Sequence, residues 1–183
     1  MKDIDHIEIE VKIACENSSE IESRLQALSA HLIGCWSETD MFFDFEDNRL
    51  KNNDSALRLR ARDNINEGHT SYRLTFKGPR LEGDYKCRRE IELVIESPDA
   101  IQSLLEALGL KPFIAYTKTR NSWKYQNCTI EIDNIPDLGN FIEIEGPNKE
   151  AIDKVLKSLN LTDKPIIKQS YLEMIMEYQH KQE

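Results

Sequence analysis

The sequence has few of the features that mark several large protein classes. Its 183 residues include only four cysteines, scattered without a C-x-x-C pair and without a histidine at zinc-ligand spacing. This pattern indicates neither a disulfide framework nor a zinc site, so we interpret the cysteines as reduced thiols. No run approaches the roughly 20 apolar residues of a membrane span, and the opening MKDIDHIEIEV has no apolar signal core. We therefore expect a cytoplasmic protein with no membrane partner.

Three other absences limit the kinds of ligand and catalytic site to expect. The net charge is −9 and no basic run occurs, which argues against nucleic acid as a partner. The stretch KGPRLEGDYK has two glycines near lysines but is not a Walker-type phosphate loop, because it lacks G-x-x-x-x-G-K-[ST] and does not precede a helix. The four histidines have no recognisable catalytic partners, and no Ser-His-Asp or Cys-His signature is visible. A phosphate ligand would have to be bound by side chains.

What the sequence does contain is a set of strands with alternating character. With 39% hydrophobic and 31% charged residues, the chain is ordinary for a globular protein, and we treat residues 1–183 as a single domain. Residues 7–12, IEIEVK, place Ile and Val on one face of a strand and Glu and Lys on the other. Similar alternation predicts seven further strands, at residues 40–45, 56–63, 72–79, 89–96, 116–125, 128–136 and 140–147.

Helices separate or follow these strands. Residues 18–34 have apolar residues at helical spacing, with Ser18 or Ser19 as the expected cap and Gly34 as the end. A second helix begins at Ser97 and Pro98 and ends at Gly109. Two more are predicted at residues 148–161 and 170–182. The fold class predicted is therefore α+β, with a mostly antiparallel sheet.

The charged faces of the strands are sorted by sign. Arg-x-Arg occurs on one strand and Glu-x-Glu on others, whereas a sheet face in contact with water usually carries mixed polar residues. Because helices cover the apolar faces, the charged faces must meet either solvent or one another across a closed sheet. In the second case carboxylates would suit Mg²⁺ or Mn²⁺, and Arg and Lys would suit phosphate oxygens.

An ordered set of motifs carries a family resemblance. The set comprises E-x-E-x-K at residues 8–12, LRLR at 57–60, FKGP at 76–79, R-x-E-x-E at 88–92, K-x-R at 118–120 and IEIDNIPDLGNFIEIEG at 130–146. In this order the motifs resemble the CYTH superfamily, which contains class IV adenylyl cyclases and thiamine or inorganic triphosphatases. The spacing of DMFFDF, FKGP, ALGLKPFIAYTKTR and SYLEMI is most similar to the cyclase-type branch.

The resemblance implies a fold and a site. The implied fold is an eight-stranded antiparallel β-barrel, a triphosphate tunnel, with helices packed outside. Mg²⁺ or Mn²⁺ would be the cofactor and a triphosphate such as ATP the substrate, and a homodimer is left open. The implied catalytic residues are Glu8, Glu10, Lys12 and Arg120. The implied metal ligands are Glu8, Glu10, Asp133, Glu143 and Glu145. The implied phosphate-binding residues are Lys12, Arg58, Arg60, Lys77, Arg88, Lys118 and Arg120.

Two chemistries would fit such a site. In a cyclase the ribose 3′-hydroxyl attacks the α-phosphorus of ATP, and pyrophosphate departs. In a triphosphatase a water attacks the terminal phosphorus instead. The resemblance to the cyclase-type branch favours the cyclase-like enzyme. An inorganic or thiamine triphosphatase, and a non-catalytic polyphosphate- or nucleotide-binding module, remain as alternatives.

Overall fold

Eight strands close into a single barrel in the computed structural model, which describes residues 4–182. The order of neighbouring strands around the barrel is β1-β5-β4-β3-β2-β6-β7-β8. This confirms the predicted fold class. The strands are β1 Asp5–Ala14, β2 His31–Phe45, β3 Ala56–Asn64, β4 Thr70–Arg80, β5 Lys86–Ile95, β6 Leu110–Tyr125, β7 Cys128–Ile135 and β8 Gly139–Glu145. The helices are α1 Ser18–Ala27, α2 Arg49–Asn52, α3 Pro98–Ala107, α4 Lys149–Ser158 and α5 Tyr171–His180.

Within the described residues the chain forms two compact units. The first unit comprises residues 4–8 and 35–118, and the second comprises residues 9–34 and 119–182. The prediction that residues 1–183 form one domain stays a prediction, and its ends, residues 1–3 and 183, lie outside the described part. None of the helices in residues 4–182 is both long and apolar enough to cross a membrane.

The first unit is built from consecutive antiparallel hairpins. Strand β3 pairs with β2 and β4, and β4 pairs with β5. Phe43 and Leu59 from the sheet pack with Leu105 of α3 and Leu110 in the apolar core of this unit. Burial of such side chains stabilises each by about 1.5–3 kcal/mol relative to exposure. This apolar face fixes which residues of β2 and β3 lie on the opposite, charged face.

The second unit combines β7 and β8 with parts of β1 and β6. Strand β8 pairs with both β1 and β7, and β6 pairs with β7. Ile144 and Ile152, from β8 and α4, are both fully buried in its core. The segment before α5 adds to β1, because Ile166 bridges Ile13 and Ile167 N–H donates to the Lys12 carbonyl at 2.8 Å. This addition brings the chain leading into α5 close to the charged face of β1.

Local sequence explains most helix ends, but the predicted cap and the predicted end of α1 are both wrong. The side chains of Asn17 and Asn148 cap α1 and α4, so Ser18 and Ser19 are not the cap of α1. Ser97 occupies the N-cap position of α3 without a side-chain cap bond, and Gly109 follows that helix with φ +89°. Helix α1 does not reach Gly34: it ends at Ala27, and residues 31–34 already belong to β2.

Candidate functional site

The charged faces of the strands are buried. In the first unit Glu38, Asp40, Arg58, Arg60, Arg88, Glu90 and Lys118 are each at most 9% exposed. In the second unit Glu10, Lys12, Arg120, Asp133 and Glu143 are buried to the same degree. Buried charges are costly unless each is paired and hydrogen-bonded. The ion pairs and hydrogen bonds of each group therefore show which charges are neutralised within the protein and which groups keep unused hydrogen-bond donors.

Arg60 is fully engaged by two acidic side chains of β2. In register, Asp40 lies opposite Arg60, and Glu38 lies opposite Arg62. Arg60 Nε and Nη2 donate to the two Asp40 carboxylate oxygens at 2.5 and 2.7 Å, and Nη1 lies 2.9 Å from Glu38 Oε2. Glu38 also pairs with Arg62 Nε at 2.9 Å and with Lys118 Nζ at 3.6 Å. Glu38 and Asp40 thus neutralise the positive charge of residues that were predicted to bind phosphate, such as Arg60 and Lys118.

The ionisation of Asp40 follows from these neighbours. Burial by itself would raise the pKa of the Asp40 carboxyl. The positive charges of Arg60, Arg58 and Lys118 outweigh burial and hold the pKa of Asp40 well below its ordinary value. Asp40 is consequently a permanent anion at physiological pH, and its charge keeps the guanidinium of Arg60 in place.

Arg58, two residues before Arg60, has bonding capacity to spare. Its Nη2 donates to Thr75 Oγ1 at 3.2 Å, and its Nη1 lies 3.8 Å from Asp40 Oδ2. Its buried Nε has no hydrogen-bond partner within residues 4–182. A guanidinium has five N–H donors, and a buried donor left unpaired costs about 1–3 kcal/mol. Of the two arginines of LRLR, Arg58 is therefore the one suited to bind an added anion.

Lys77 links two carboxylates in the first unit. Its ammonium forms a close ion pair with Glu90, which lies opposite Lys77 in register, and lies 3.3 Å from Glu8 Oε2. Burial, together with a hydrogen bond shared with Glu8, raises the pKa of Glu90 to about 7, against the opposing effect of Lys77. Glu90 is therefore protonated at a higher pH than an ordinary glutamate.

This raised pKa predicts how the stability of the unliganded protein varies with pH. The ordinary pKa of a glutamate is 4.5, so the folded protein binds the Glu90 proton more tightly than the unfolded chain does. The contribution of Glu90 is most favourable below about pH 4.5, and it is lost as the pH rises through 7, by about 3 kcal/mol in total. Glu90→Gln should therefore gain stability relative to wild type between pH 5 and 8.

Urea unfolding in chelator-containing buffer at several pH values would measure this gain. The matched control is Glu96→Gln, because Glu96 is exposed on the same part of the chain. The control should show the same pH dependence as wild type. If Glu90→Gln also parallels wild type at every pH, Glu90 does not titrate near 7.

Arg88, near the start of β5, is held by an aspartate in a turn. Its Nη2 lies 3.0 Å from Asp54 Oδ1, and Asp54 also accepts from the backbone N–H and Nε of Arg80. Although burial acts in the opposite direction, the bonds from Arg80 and the charge of Arg88 lower the pKa of Asp54. The buried Nε of Arg88 has no hydrogen-bond partner in the part of the chain that is described. Arg88 thus resembles Arg58 in retaining an unused donor.

Lys12 is the central cation of the second unit. It is 2% exposed, and its ammonium lies 3.4 Å from Glu143 Oε1 and donates to the Gln169 carbonyl at 3.0 Å. The same ammonium lies 3.5 Å from the centre of the Tyr171 ring, at cation–π distance. Burial and the nearby charges of Glu143 and Asp133 raise the pKa of Tyr171 well above its ordinary value, so this ring stays neutral.

Arg120 is saturated by acids of β7 and β8. Its Nε and Nη2 donate to the two Asp133 oxygens at 2.6 and 2.5 Å, and Nη2 also donates to Glu143 Oε2 at 2.7 Å. Arg120 and Asp133 lie directly opposite each other in the β6–β7 register. The bidentate geometry makes this the strongest class of charged hydrogen bond. In the second unit Arg120 therefore has the role that Arg60 has in the first.

The predicted metal ligands of the second unit share one face. Glu10 lies opposite Glu145, and Glu143 lies opposite Lys12 on one side and Glu131 on the other. Directly opposed like charges destabilise a sheet unless a cation lies near them, and carboxylate oxygens are the preferred ligands of Mg²⁺. The donor set thus suits a hard divalent cation. Within residues 4–182, however, no three His, Cys, Asp or Glu side chains are grouped in a metal-binding arrangement.

The structure divides the predicted site residues between the units. The first unit contains Glu8, Arg58, Arg60, Lys77, Arg88 and Lys118, and the second contains Glu10, Lys12, Arg120, Asp133, Glu143 and Glu145. Sequence reasoning missed Glu38 and Asp40, the acids that engage Arg60. The alternation of these acids with Ser37, Thr39 and Met41 was visible in the sequence. The predicted strand began only at Asp40, however, and left out Glu38. The assigned roles of all these residues remain predictions.

Comparison with known proteins agrees with this geometry. The sequence model of the CYTH domain family matches residues 6–171. The protein named "Putative adenylate cyclase MJ0240" from Methanocaldococcus jannaschii is 29% identical over 177 residues, covering 92% of this chain and 98% of its own length. The structure of the PH1819 protein from Pyrococcus horikoshii is 30% identical, with a TM-score of 0.81 and coverage of 93% of this chain and 99% of that chain.

A more distant solved structure has the same fold. It is a Hippeastrum protein described as a "putative adenylyl cyclase" with a dominant triphosphatase activity. It is 19% identical, with a TM-score of 0.72 and coverage of 93% of this chain and 96% of that chain. The family match spans nearly the whole chain, and the closed eight-stranded barrel and the buried charged faces lie within it. The chain belongs to the CYTH domain family.

Proposed function

We propose that this protein is a divalent-metal-dependent enzyme acting on a nucleoside triphosphate, and that it converts ATP to cyclic AMP and pyrophosphate. Two findings support the proposal. The chain belongs to the CYTH domain family, and its relative from M. jannaschii, at 29% identity over 177 residues, is named "Putative adenylate cyclase". The coverage of 92% and 98% means that the likeness extends over nearly all of both chains.

The observation that carries the proposal is the state of Arg58. Its guanidinium is buried, opposes no acid in register and keeps Nε without a partner in the described residues, whereas Arg60 is saturated. A buried cation with unused donors fits an anionic ligand, and the planar fork of arginine matches phosphate oxygens. Arg88, with its own unpaired Nε, supports the same assignment. We assign Arg58 and Arg88 to direct phosphate contact.

The carboxylates are assigned to the metal. Glu10, Glu143, Glu145 and Asp133, all of the second unit, are the residues proposed to hold Mg²⁺ or Mn²⁺. The role of Glu8 as a metal ligand stays a prediction. A bound divalent ion would lower the pKa of a coordinated hydroxyl and neutralise phosphate charge. Arg120 and Lys12 then act by orienting Asp133 and Glu143, to which they are bonded in the unliganded protein.

The chain's own side chains would act on charge that develops during the reaction. In the cyclase reaction the 3′-oxygen bonds to the α-phosphorus, the bond from that phosphorus to the bridging oxygen of pyrophosphate breaks, and the hydroxyl proton is released. Negative charge accumulates on the departing pyrophosphate. Arg58, Arg88 and Lys77 supply positive charge that is already positioned and desolvated, which is the form in which such stabilisation is most effective. Removing one such donor typically costs about 10²–10³ in rate.

One experiment distinguishes the cyclase from its alternatives. The protein is incubated with Mg²⁺ or Mn²⁺ and, in parallel, with ATP, thiamine triphosphate and inorganic tripolyphosphate, and the products are separated. Cyclic AMP with pyrophosphate supports the proposal. Orthophosphate without cyclic AMP would replace it with a triphosphatase, an activity described for the Hippeastrum protein of the same fold. Tight binding without any product would leave a non-catalytic binding module.

A further inference from the structure

Two aromatic side chains lie on a charged face of the first unit. The rings of Phe42 and Tyr116 are stacked, with centroids 6.0 Å apart and an interplanar angle of 18°. Along β2, Phe42 alternates in step with Glu38 and Asp40, and along β6, Tyr116 alternates in step with Lys118. Both rings therefore point to the side of the sheet where the buried charges lie.

Packing of the apolar core does not account for this position. Met41, Phe43 and Phe45, the neighbours of Phe42 on the opposite face of β2, pack in the cluster with Leu59 and Leu105. Phe42 is only 5% exposed, but its directly opposed residue on β3 is Arg58. Tyr116 is half-buried, so part of this residue is accessible. A stacked aromatic pair on an otherwise charged face needs a reason other than the core.

Arg58 supplies an independent indication of a ligand here. It is 9% exposed, lies directly across from Phe42, and carries the buried Nε without a partner in the described residues. Lys118, two residues along β6 from Tyr116, adds a second buried cation. A ligand that combines phosphate groups with a planar ring matches this juxtaposition. In such a ligand the phosphates would meet Arg58, and the ring would meet the aromatic surface.

We infer that Phe42 and Tyr116 form a stacking subsite for the planar ring of the substrate, and that they determine the preference for a nucleoside triphosphate over inorganic tripolyphosphate. The inference rests on the proposed function, because it concerns the non-phosphate part of the same substrate. Stacking on aromatic side chains tolerates different bases, since every base has a π-face. The subsite therefore selects a ring-bearing triphosphate as a class and discriminates weakly among purines.

The test compares binding of two ligands to matched variants. Phe42→Leu and Tyr116→Leu keep apolar volume but remove the flat ring, Tyr116→Phe keeps the ring, and Phe113→Leu is a control at an exposed aromatic on β6. Calorimetry measures the Kd for ATP and for tripolyphosphate in Ca²⁺ buffer, and thermal unfolding verifies that each variant is folded. We expect both leucine variants at 42 and 116 to bind ATP about 10- to 100-fold more weakly and tripolyphosphate unchanged.

Two control variants should leave binding unchanged. Tyr116→Phe and Phe113→Leu should bind both ligands as wild type does. An equal loss for ATP and tripolyphosphate, or no loss for either, would overturn the subsite. If Phe42→Leu fails to fold, the comparison of Tyr116→Leu with Tyr116→Phe decides. If wild type binds ATP and both leucine variants bind it equally well, the subsite alone is overturned. Wild type that does not bind ATP would overturn the proposed function as well.

Discussion

Replacing Glu10 with glutamine is expected to lower Mg²⁺-dependent turnover of ATP by about 100-fold or more. Glu10 is 7% exposed and lies directly opposite Glu145, so the substitution removes one charged oxygen ligand from an acidic face while keeping the shape of the side chain. The fold should be unaffected or slightly stabilised, because repulsion between opposed carboxylates is relieved. Steady-state kinetics across a Mg²⁺ titration, with thermal unfolding of the same samples, measures both effects.

The control for this variant is Glu46→Gln. Glu46 is an exposed acid whose ion-pair partner, Lys111, is also exposed, so its neutralisation changes net charge equally but should leave turnover intact. An increase in the Mg²⁺ concentration needed for half-maximal rate would further distinguish a lost ligand from a general defect. If Glu10→Gln turns ATP over at the wild-type rate with the same Mg²⁺ dependence, Glu10 does not bind the metal.

Arg120→Met is expected to destabilise the unliganded protein by about 3–5 kcal/mol at neutral pH. Arg120 is the bidentate partner of Asp133 and also pairs with Glu143, and Asp133 is only 1% exposed. Removing the cation leaves two buried carboxylates with too few positive neighbours. The midpoint of urea unfolding should fall substantially with little change in slope.

A comparison with Arg58→Met separates structural arginines from ligand-binding ones. Asp40 keeps its bidentate bonds to Arg60 when Arg58 is lost, so Arg58→Met should cost much less stability than Arg120→Met. The double variant Arg120→Met with Asp133→Asn should regain part of the lost stability, because one buried charge is removed. Equal destabilisation by the two single arginine variants would contradict this division.

Much of the fold could be predicted because the alternation along each strand is local and strong. All eight predicted strands occur, and the Gly109 end of α3 is as expected. The first helix was predicted too long because Leu28 and Leu32 continue the helical spacing. There the chain turns at Ser29, with φ +57°, and His31 begins a strand that runs to Phe45. Strand pairing is a non-local interaction, and it outweighs the local helical signal.

The candidate site was predictable in composition but not in its pairing. The alternation identified the charged faces, and those faces are buried. Which arginines are saturated depends on register, because Asp40 opposes Arg60 while Phe42 opposes Arg58. A register shift of one residue would place residues of the other face opposite these arginines. No sequence pattern specifies the register. The aromatic pair could not be predicted either, because Phe42 and Tyr116 are 74 positions apart in the sequence.

We expect this chain to turn over a triphosphate only when a divalent metal is bound. The most direct measurement follows ATP by ³¹P NMR in the presence of the purified protein, first in chelator and then after addition of excess Mg²⁺ or Mn²⁺. We predict stable ATP signals in chelator, and their replacement by pyrophosphate and cyclic AMP signals once metal is added. ATP consumption at the same rate in chelator, or unchanged ATP with both metals, would contradict it.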